Sequence, residues 1–393
     1  MPARNRRIQR VQAETNRVMD SAFGNPQHRG ITRRQRLGEL RNQAARYAKH
    51  APVQFAARQI VKHLSRAQTT FEGHSKITPI QSASVFYGGQ NIRFGKAIRE
   101  HFRKRRITAR SMQLDSKRSP TSTVENRRID ALSRANAVVF AANGPASKLD
   151  GPVDRIVNSV ERRYGKKSGT RLALMYGITP QAVREVLSLN SKRMHEFTRR
   201  TFQAVHGCKT IQVRSSSGTN MTFSITPRHR WVQDNAILSK NYWGNLPAGE
   251  VFTAPASANG NLVIDAVMNN VGDCHKTPIT VQIRNGRAIP QTARCKNPRL
   301  LRKFLAQIHA EPNADRIGEL GLGTNVAVTK LTGNDLVDEK HVGVHVAFGD
   351  PEGADTGATW TTAEGTHNDA ILRKPSIFVD GRCIMRNGKS LLM

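Results

Sequence analysis

The sequence predicts an α/β protein with a β-rich second half, on three observations. From residue 83 to about 205, short apolar runs alternate with amphipathic helical stretches, the pattern of a mostly parallel sheet covered by helices. Beyond that, apolar and polar residues alternate at a period of two, as in strands with one buried face. Glycine also becomes dense after Gly244, and helical patterns become rare. The 393 residues suffice for two cores. The expected division is a basic arm over 1–35, an α/β domain over 36–225 and a β-rich domain over 226–393.

Taken in order, Leu37, Leu40, Ala44, Tyr47 and Ala48 recur every three or four residues, predicting helix from Arg33 to about Ser65 with a basic outer face. Val85-Phe86-Tyr87 reads as a buried strand and Gly88-Gly89 as a break. Ile92 to Arg105 reads as a helix with Phe94, Ala97, Ile98, His101 and Phe102 on one side. A helix around Ile129 and Leu132 leads into the strand Ala137–Ala141. A further strand, Leu172–Met175, precedes Thr179-Pro180, an N-cap followed by a first-turn proline. Lys192 to Val205 is a helix closed by Gly207. Then Ile211 and Val213, a turn at Ser217-Gly218, and Met221, Phe223 and Ile225 make alternating strands, and one more helix covers Leu300 to Ile308.

Sixty-two Lys and Arg stand against 29 Asp and Glu, a formal net charge of +33, so polyanions are attracted without any specific site. Nonspecific nucleic-acid binding is expected as a side property. As a main role it lacks support: aromatic residues are only 6%, no zinc finger or helix-turn-helix signature occurs, and the charge is spread along the chain. No apolar run reaches the roughly 18 residues of a membrane span, and the Arg-rich start lacks a secretory apolar stretch, so no membrane partner is expected. That start reads as a solvated arm, with organelle targeting as the other reading. Cys208, Cys274, Cys295 and Cys383 are widely spaced, which excludes a C-x-x-C zinc site and a disulfide framework and fits a reducing, cytoplasmic compartment. Gly88-Gly89 is a tight turn, since no G-x-G-x-x-G surrounds it.

The chemistry is expected in the β-rich half. His345 lies in an apolar strand pattern, Val344 to Phe348, whose alternation puts His345 and Ala347 on one face and buries Val344, Val346 and Phe348 on the other. His367 and Asp369, two apart, project from the same side of an extended chain and can chelate one ion together. Glu319 sits among Gly318, Gly321 and Gly323, which leave room around it. Glu250 stands between a turn and a short strand. Hard oxygen donors with a few imidazoles are the donor set of a hydrolytic two-metal site.

The succession GTNMTFSI, NLPAGEVFTAP, ELGLGTN, LTGNDLVDEK, HVAFG, THNDAILRKP and FVDGRCIMRNGK resembles the thermophilic leucyl aminopeptidases, the aminopeptidase T family. The likeness covers the chain well from about residue 165 and loosely back to Ala83. It implies an α/β domain on a β domain that holds two divalent ions, a homodimer, and release of the N-terminal residue of a peptide. Motif on motif, Glu250, Glu319, Glu339, His345, His367 and Asp369 fall on the family's metal ligands. The physical chemistry of such a set suits two Zn, Co or Mn ions with a shared activated water, and Glu319 is the expected proton carrier. One departure stands out. The family's tyrosine beyond the strand histidine is replaced by Asp350-Pro351-Glu352, and no tyrosine follows Tyr242. A related fold also serves a mononuclear iron ring-cleaving dioxygenase, for which His345, His367 and Asp369 would form the alternative ligand triad.

Overall fold

Strands Tyr242–Asn245, Arg171–Leu174, Ala137–Ala142, Ser82–Gly88 and Thr108–Leu114 lie side by side in that order, all parallel, so the expected parallel sheet is present. The computed structural model describes residues 53–58, 60, 61, 64, 68–71, 74–77, 80–114, 123–142, 146–161, 170–178, 191–235 and 242–393. The helix expected from Arg33 is described only from residue 53, and the Thr179-Pro180 cap lies outside the described residues.

Both faces of the parallel sheet are covered, which is why its strands read as unbroken apolar runs rather than as alternation. Val85, Tyr87, Val139 and Ala173 pack with Phe94, Ile98 and Phe102 of the helix Ile92–Lys104 and with Ile60 and Leu64. Phe86, Val138, Phe140 and Leu172 pack with Ile129 and Leu132 of the helix Thr123–Leu132 and with Ile156 and Val160 of the helix Ala146–Glu161. Two elements are absent from the sequence expectations for plain reasons. The helix Ala146–Glu161 contains Gly151-Pro152, which reads as a break, and Thr108–Leu114 is an edge strand whose exposed Thr108, Arg110 and Gln113 dilute its apolar pattern.

From Thr210 onward every described strand except Tyr242–Asn245 is antiparallel, and these strands form two sheets, one of eight and one of seven. The first includes Thr210–Arg214, Asn220–Ser224, Ser257–Ile264, Ile279–Arg284 and Arg287–Arg294. The second runs, from one edge inwards, through Val232–Asp234, Glu250–Thr253, Ile317–Gly323, Gly343–Gly349 and His367–Leu372. Their facing sides share one core: Ile211, Val213, Met221 and Phe223 meet Val251, Leu320, Leu322, Val344, Val346 and Phe348. The two architectures interleave around residue 226 rather than meeting there. Residues 210–224 are already antiparallel, and Tyr242–Asn245 returns to the parallel sheet before the chain re-enters the seven-stranded one at Glu250.

Candidate metal centre

In the seven-stranded sheet, the residues that alternate with the core-facing set all point away from it, so the register of neighbouring strands decides which of them meet. Glu319 pairs across the ladder with Ala347, and Ala347 with Asp369. Alanine between two acids leaves space over the middle strand. One rung along, Gly321 pairs with His345, and a Cβ on Gly321 would lie 1.8 Å from His345 Nε2. The glycine therefore lets the imidazole lie across the neighbouring strand and reach Glu319, whose Oε1 is 2.7 Å from His345 Nε2. On the next rung Gly323 pairs with Glu250, and Glu250 with Asp234.

The result is a buried cluster of acids and imidazoles. Glu250, Glu319, His345 and Asp369 are each at most 5% exposed, and two sets of donor atoms converge: Glu250 with Glu319 and His345, and Glu319 with His367 and Asp369. Within each set the donor atoms lie within 4.8 Å of one another. Glu319 belongs to both. His367 Nε2 is 3.6 Å from Glu319 Oε2 and 3.7 Å from Asp369 Oδ1. On the other side of that ring, Nδ1 lies 2.8 Å from the Asp350 carbonyl oxygen. A carbonyl only accepts, so Nδ1 carries hydrogen and Nε2 is turned to the cluster, the usual way a ligating histidine is oriented.

Two acceptors in the cluster have no hydrogen-bond donor: Glu250 Oε2 and Asp369 Oδ1 are buried without one, whereas Asp369 Oδ2 accepts from Asn269 at 3.3 Å. Each belongs to a residue of one of the two sets. Buried carboxylate oxygens without donors are costly unless a cation faces them, so the residues present fit a metal. Ionisation tells the same story. Burial, reinforced by the Glu319 and Asp234 charges, pushes Glu250 up to about 7 despite Lys340 and His345. Burial works against protonation of His345, but the Glu319 hydrogen bond and the charges of Glu319, Asp369 and Glu250 outweigh it and raise the ring to about 9. His367 is likewise raised, against burial, by Asp369, Glu319 and Glu352. For Asp369 burial is overcome first by the charge of His367 and then by that of His345, and its carboxyl stays below the usual range.

Of the six residues expected as ligands, five fall into the two sets. Glu339 does not: its carboxylate lines the same cavity, but its Oε1 is 2.7 Å from Lys340 Nζ, and it is in neither set. The cavity, about 630 Å³ including its opening to solvent, is lined by Asp234, Glu250, Glu319, Glu339, Glu352, Asp355 and His367, together with Gly244 and Asn245 from the end of a parallel strand. Asp234, Lys340, Glu352 and Asp355 were not among the expected site residues. Glu352 stands in the stretch that lacks the tyrosine, with a left-handed backbone (φ 49°) and its amide donating to Asp350 Oδ1 at 2.9 Å. Burial first, then the Glu319 charge, pushes its carboxyl up to about 8, His367 acting in the other direction. The triad of His345, His367 and Asp369 needed by the dioxygenase alternative is not a converging set among the described residues, because Glu319 lies between His345 and the other two.

Comparison with known proteins agrees with the resemblance. Residues 191–369 match the family model described as thermophilic metalloprotease (M29), a span that contains both sets. Among solved structures, a 2,5-dihydroxypyridine dioxygenase from Pseudomonas putida is similar, with a TM-score of 0.61 and 18% identity over 85% of this chain and 96% of that one, a likeness of fold. No curated protein matches the chain.

Proposed function

We propose, with residues 191–369 matching the metalloprotease family, that the chain is a metal-dependent aminopeptidase that releases the N-terminal residue of a peptide. The observation that carries the reading is the pair of donor sets sharing Glu319 on one sheet face inside the matched span. Glu250, Glu319 and His345 would hold one divalent ion, and Glu319, His367 and Asp369 a second, Zn, Co or Mn suiting this mixture of carboxylate and imidazole. Ions so bound polarise a carbonyl and lower the pKa of water. With Oε1 turned to the first set and Oε2 to the second, Glu319 is proposed as the ligand shared by both ions, which leaves it no free oxygen for the proton carrying expected of it. Glu352, which lines the cavity in the stretch where the family's tyrosine would stand, is the proposed hydrogen-bond donor to the carbonyl oxygen when its carboxyl is protonated. The acids around the cavity favour a substrate with a free amine at its end. A homodimer is proposed from the resemblance alone, and sedimentation of the purified chain checks it.

The test is release of free amino acid from unblocked peptides by the purified full chain with added Co or Zn. Expected are turnover, none with N-acetylated peptides, and loss of turnover in Glu250→Gln and Glu319→Gln. Glu352→Ala should be slower by about a hundredfold, the usual effect of removing one such donor, and Glu352→Gln, which keeps an N–H, less so. No release from any unblocked peptide by metal-loaded protein would end the reading.

A further inference from the structure

Lys340 is the cation of this cluster, and its chemistry is used neither by the six expected ligands nor by the two donor sets. Its side chain is 0% exposed, and an ammonium is seldom so deep unless it is paired. Its Nζ donates to Glu250 Oε1, lies 2.7 Å from Glu339 Oε1 and sits 3.4 Å from Asp234 Oδ2. The three carboxylates come from three separate segments: the edge strand, its neighbour, and the turn after the helix Asp335–Asp338.

The backbone shows how the lysine gets there. A Cβ on Gly323 would lie 1.9 Å from the His341 carbonyl oxygen and 2.8 Å from that of Glu339, so only glycine lets the 339–341 backbone cross the end of the Glu319 strand. Gly323 pairs with Glu250, and the crossing therefore lays Lys340 against that carboxylate. The Asn325 amide, donating to the Lys340 carbonyl at 3.0 Å, pins the crossing.

The lysine divides Glu250. Oε1 is occupied by the ammonium, while Oε2 has no hydrogen-bond donor and lies 3.4 Å from His345 Nε2, inside the first donor set. We infer that Lys340 is a positioning residue: a fixed internal cation that commits one oxygen of Glu250 and one of Glu339 to itself, leaving Glu250 a single oxygen for the ion held with Glu319 and His345. This rests on the two-ion reading above.

The experiment is titration of Co(II) into the chelator-stripped full chain, followed by visible absorption and by calorimetry, for wild type, Lys340→Met and Asp234→Asn. Wild type should take up two ions. Lys340→Met should weaken one of the two binding steps by about 10–100-fold, the usual effect of removing a group that orients a metal ligand, and leave the other within twofold. Asp234→Asn, which loosens Lys340 from the far side, should weaken the same step by a smaller factor. A purely structural lysine would move both steps or neither. Both steps unchanged or both weakened alike in Lys340→Met, or a wild type with a single step, would overturn the inference. If Lys340→Met does not fold, judged by circular dichroism, Asp234→Asn decides alone, and two unchanged steps there overturn it. Failure of the peptidase reading looks different: two ions bound normally and no amino acid released.

Discussion

Gly321 shows how much of this centre depends on a missing side chain. His345 lies across it, so Gly321→Ala puts a methyl where the imidazole is and must displace the ring from Glu319. Overpacking of this kind costs about 1–3 kcal/mol, and the expected outcome is a folded protein that has lost the ion shared with Glu250, read as one fewer equivalent in a Co(II) titration. A second expectation follows from ionisation. Glu250 and Glu352 hold their protons to about 7 and 8, and His345 to about 9. Unfolded carboxyls lose theirs near 4.5 and histidine near 6.5. Over the window from about pH 5 to 9 the folded, metal-free chain therefore binds more protons than the unfolded one, and its stability falls as pH rises. The melting temperature of chelator-treated protein should drop steadily from pH 6 to 9, and a rise across that range would contradict the assignment. At this scale the sequence was legible where chemistry follows spacing. The two-residue step from His367 to Asp369 and the alternation around His345 put each side chain on the face where it is found. Lys340, Asp234 and Glu352 were not legible, because a lone charged residue is ordinarily solvated and nothing in its neighbours shows which backbone will cross it.

Among the elements, the short helix Asp335–Asp338 and its flanks matter out of proportion to their length. Asp338 is 1% exposed and accepts from the Thr332 amide at 2.6 Å, the Thr332 hydroxyl at 2.8 Å and the Gly333 amide at 2.8 Å. These bonds brace the turn that delivers Glu339 and Lys340. Asp338→Ala leaves three donors without an acceptor, at about 1–3 kcal/mol for each buried one. The expected outcome is a lower urea midpoint together with weaker Co(II) binding, whereas the capping change Asn297→Ala, on the distant helix Pro298–Ile308, should lower the midpoint alone. Most strands and long helices were legible because their apolar periods are strong. The interleaving around residue 226 was not: Tyr242–Asn245 is a four-residue strand whose parallel partner, Arg171–Leu174, lies far back in the chain, and local patterning carries no information about that pairing.

For the molecule as a whole, a net charge of +33 over the sequence contrasts with a cavity lined by six carboxylates. The excess predicts polyanion binding that weakens steeply with salt. A filter-binding titration with an arbitrary duplex between about 50 and 200 mM salt should lose orders of magnitude in affinity, and a flat response would show that the charge is not gathered into any usable surface. Among the described residues no helix is long and apolar enough to cross a membrane.

The contrast between that net charge and that cavity also bears on how quickly an ion arrives. A divalent cation approaching from solution meets a repulsive far field before it reaches the attractive mouth. Screening with a Debye length near 10 Å at 0.1 M removes the long-range repulsion more than the short-range attraction. Stopped-flow capture of Co(II) is therefore expected to accelerate as monovalent salt is added, the reverse of the usual behaviour of an acidic ion trap, and a slowing with salt would contradict it.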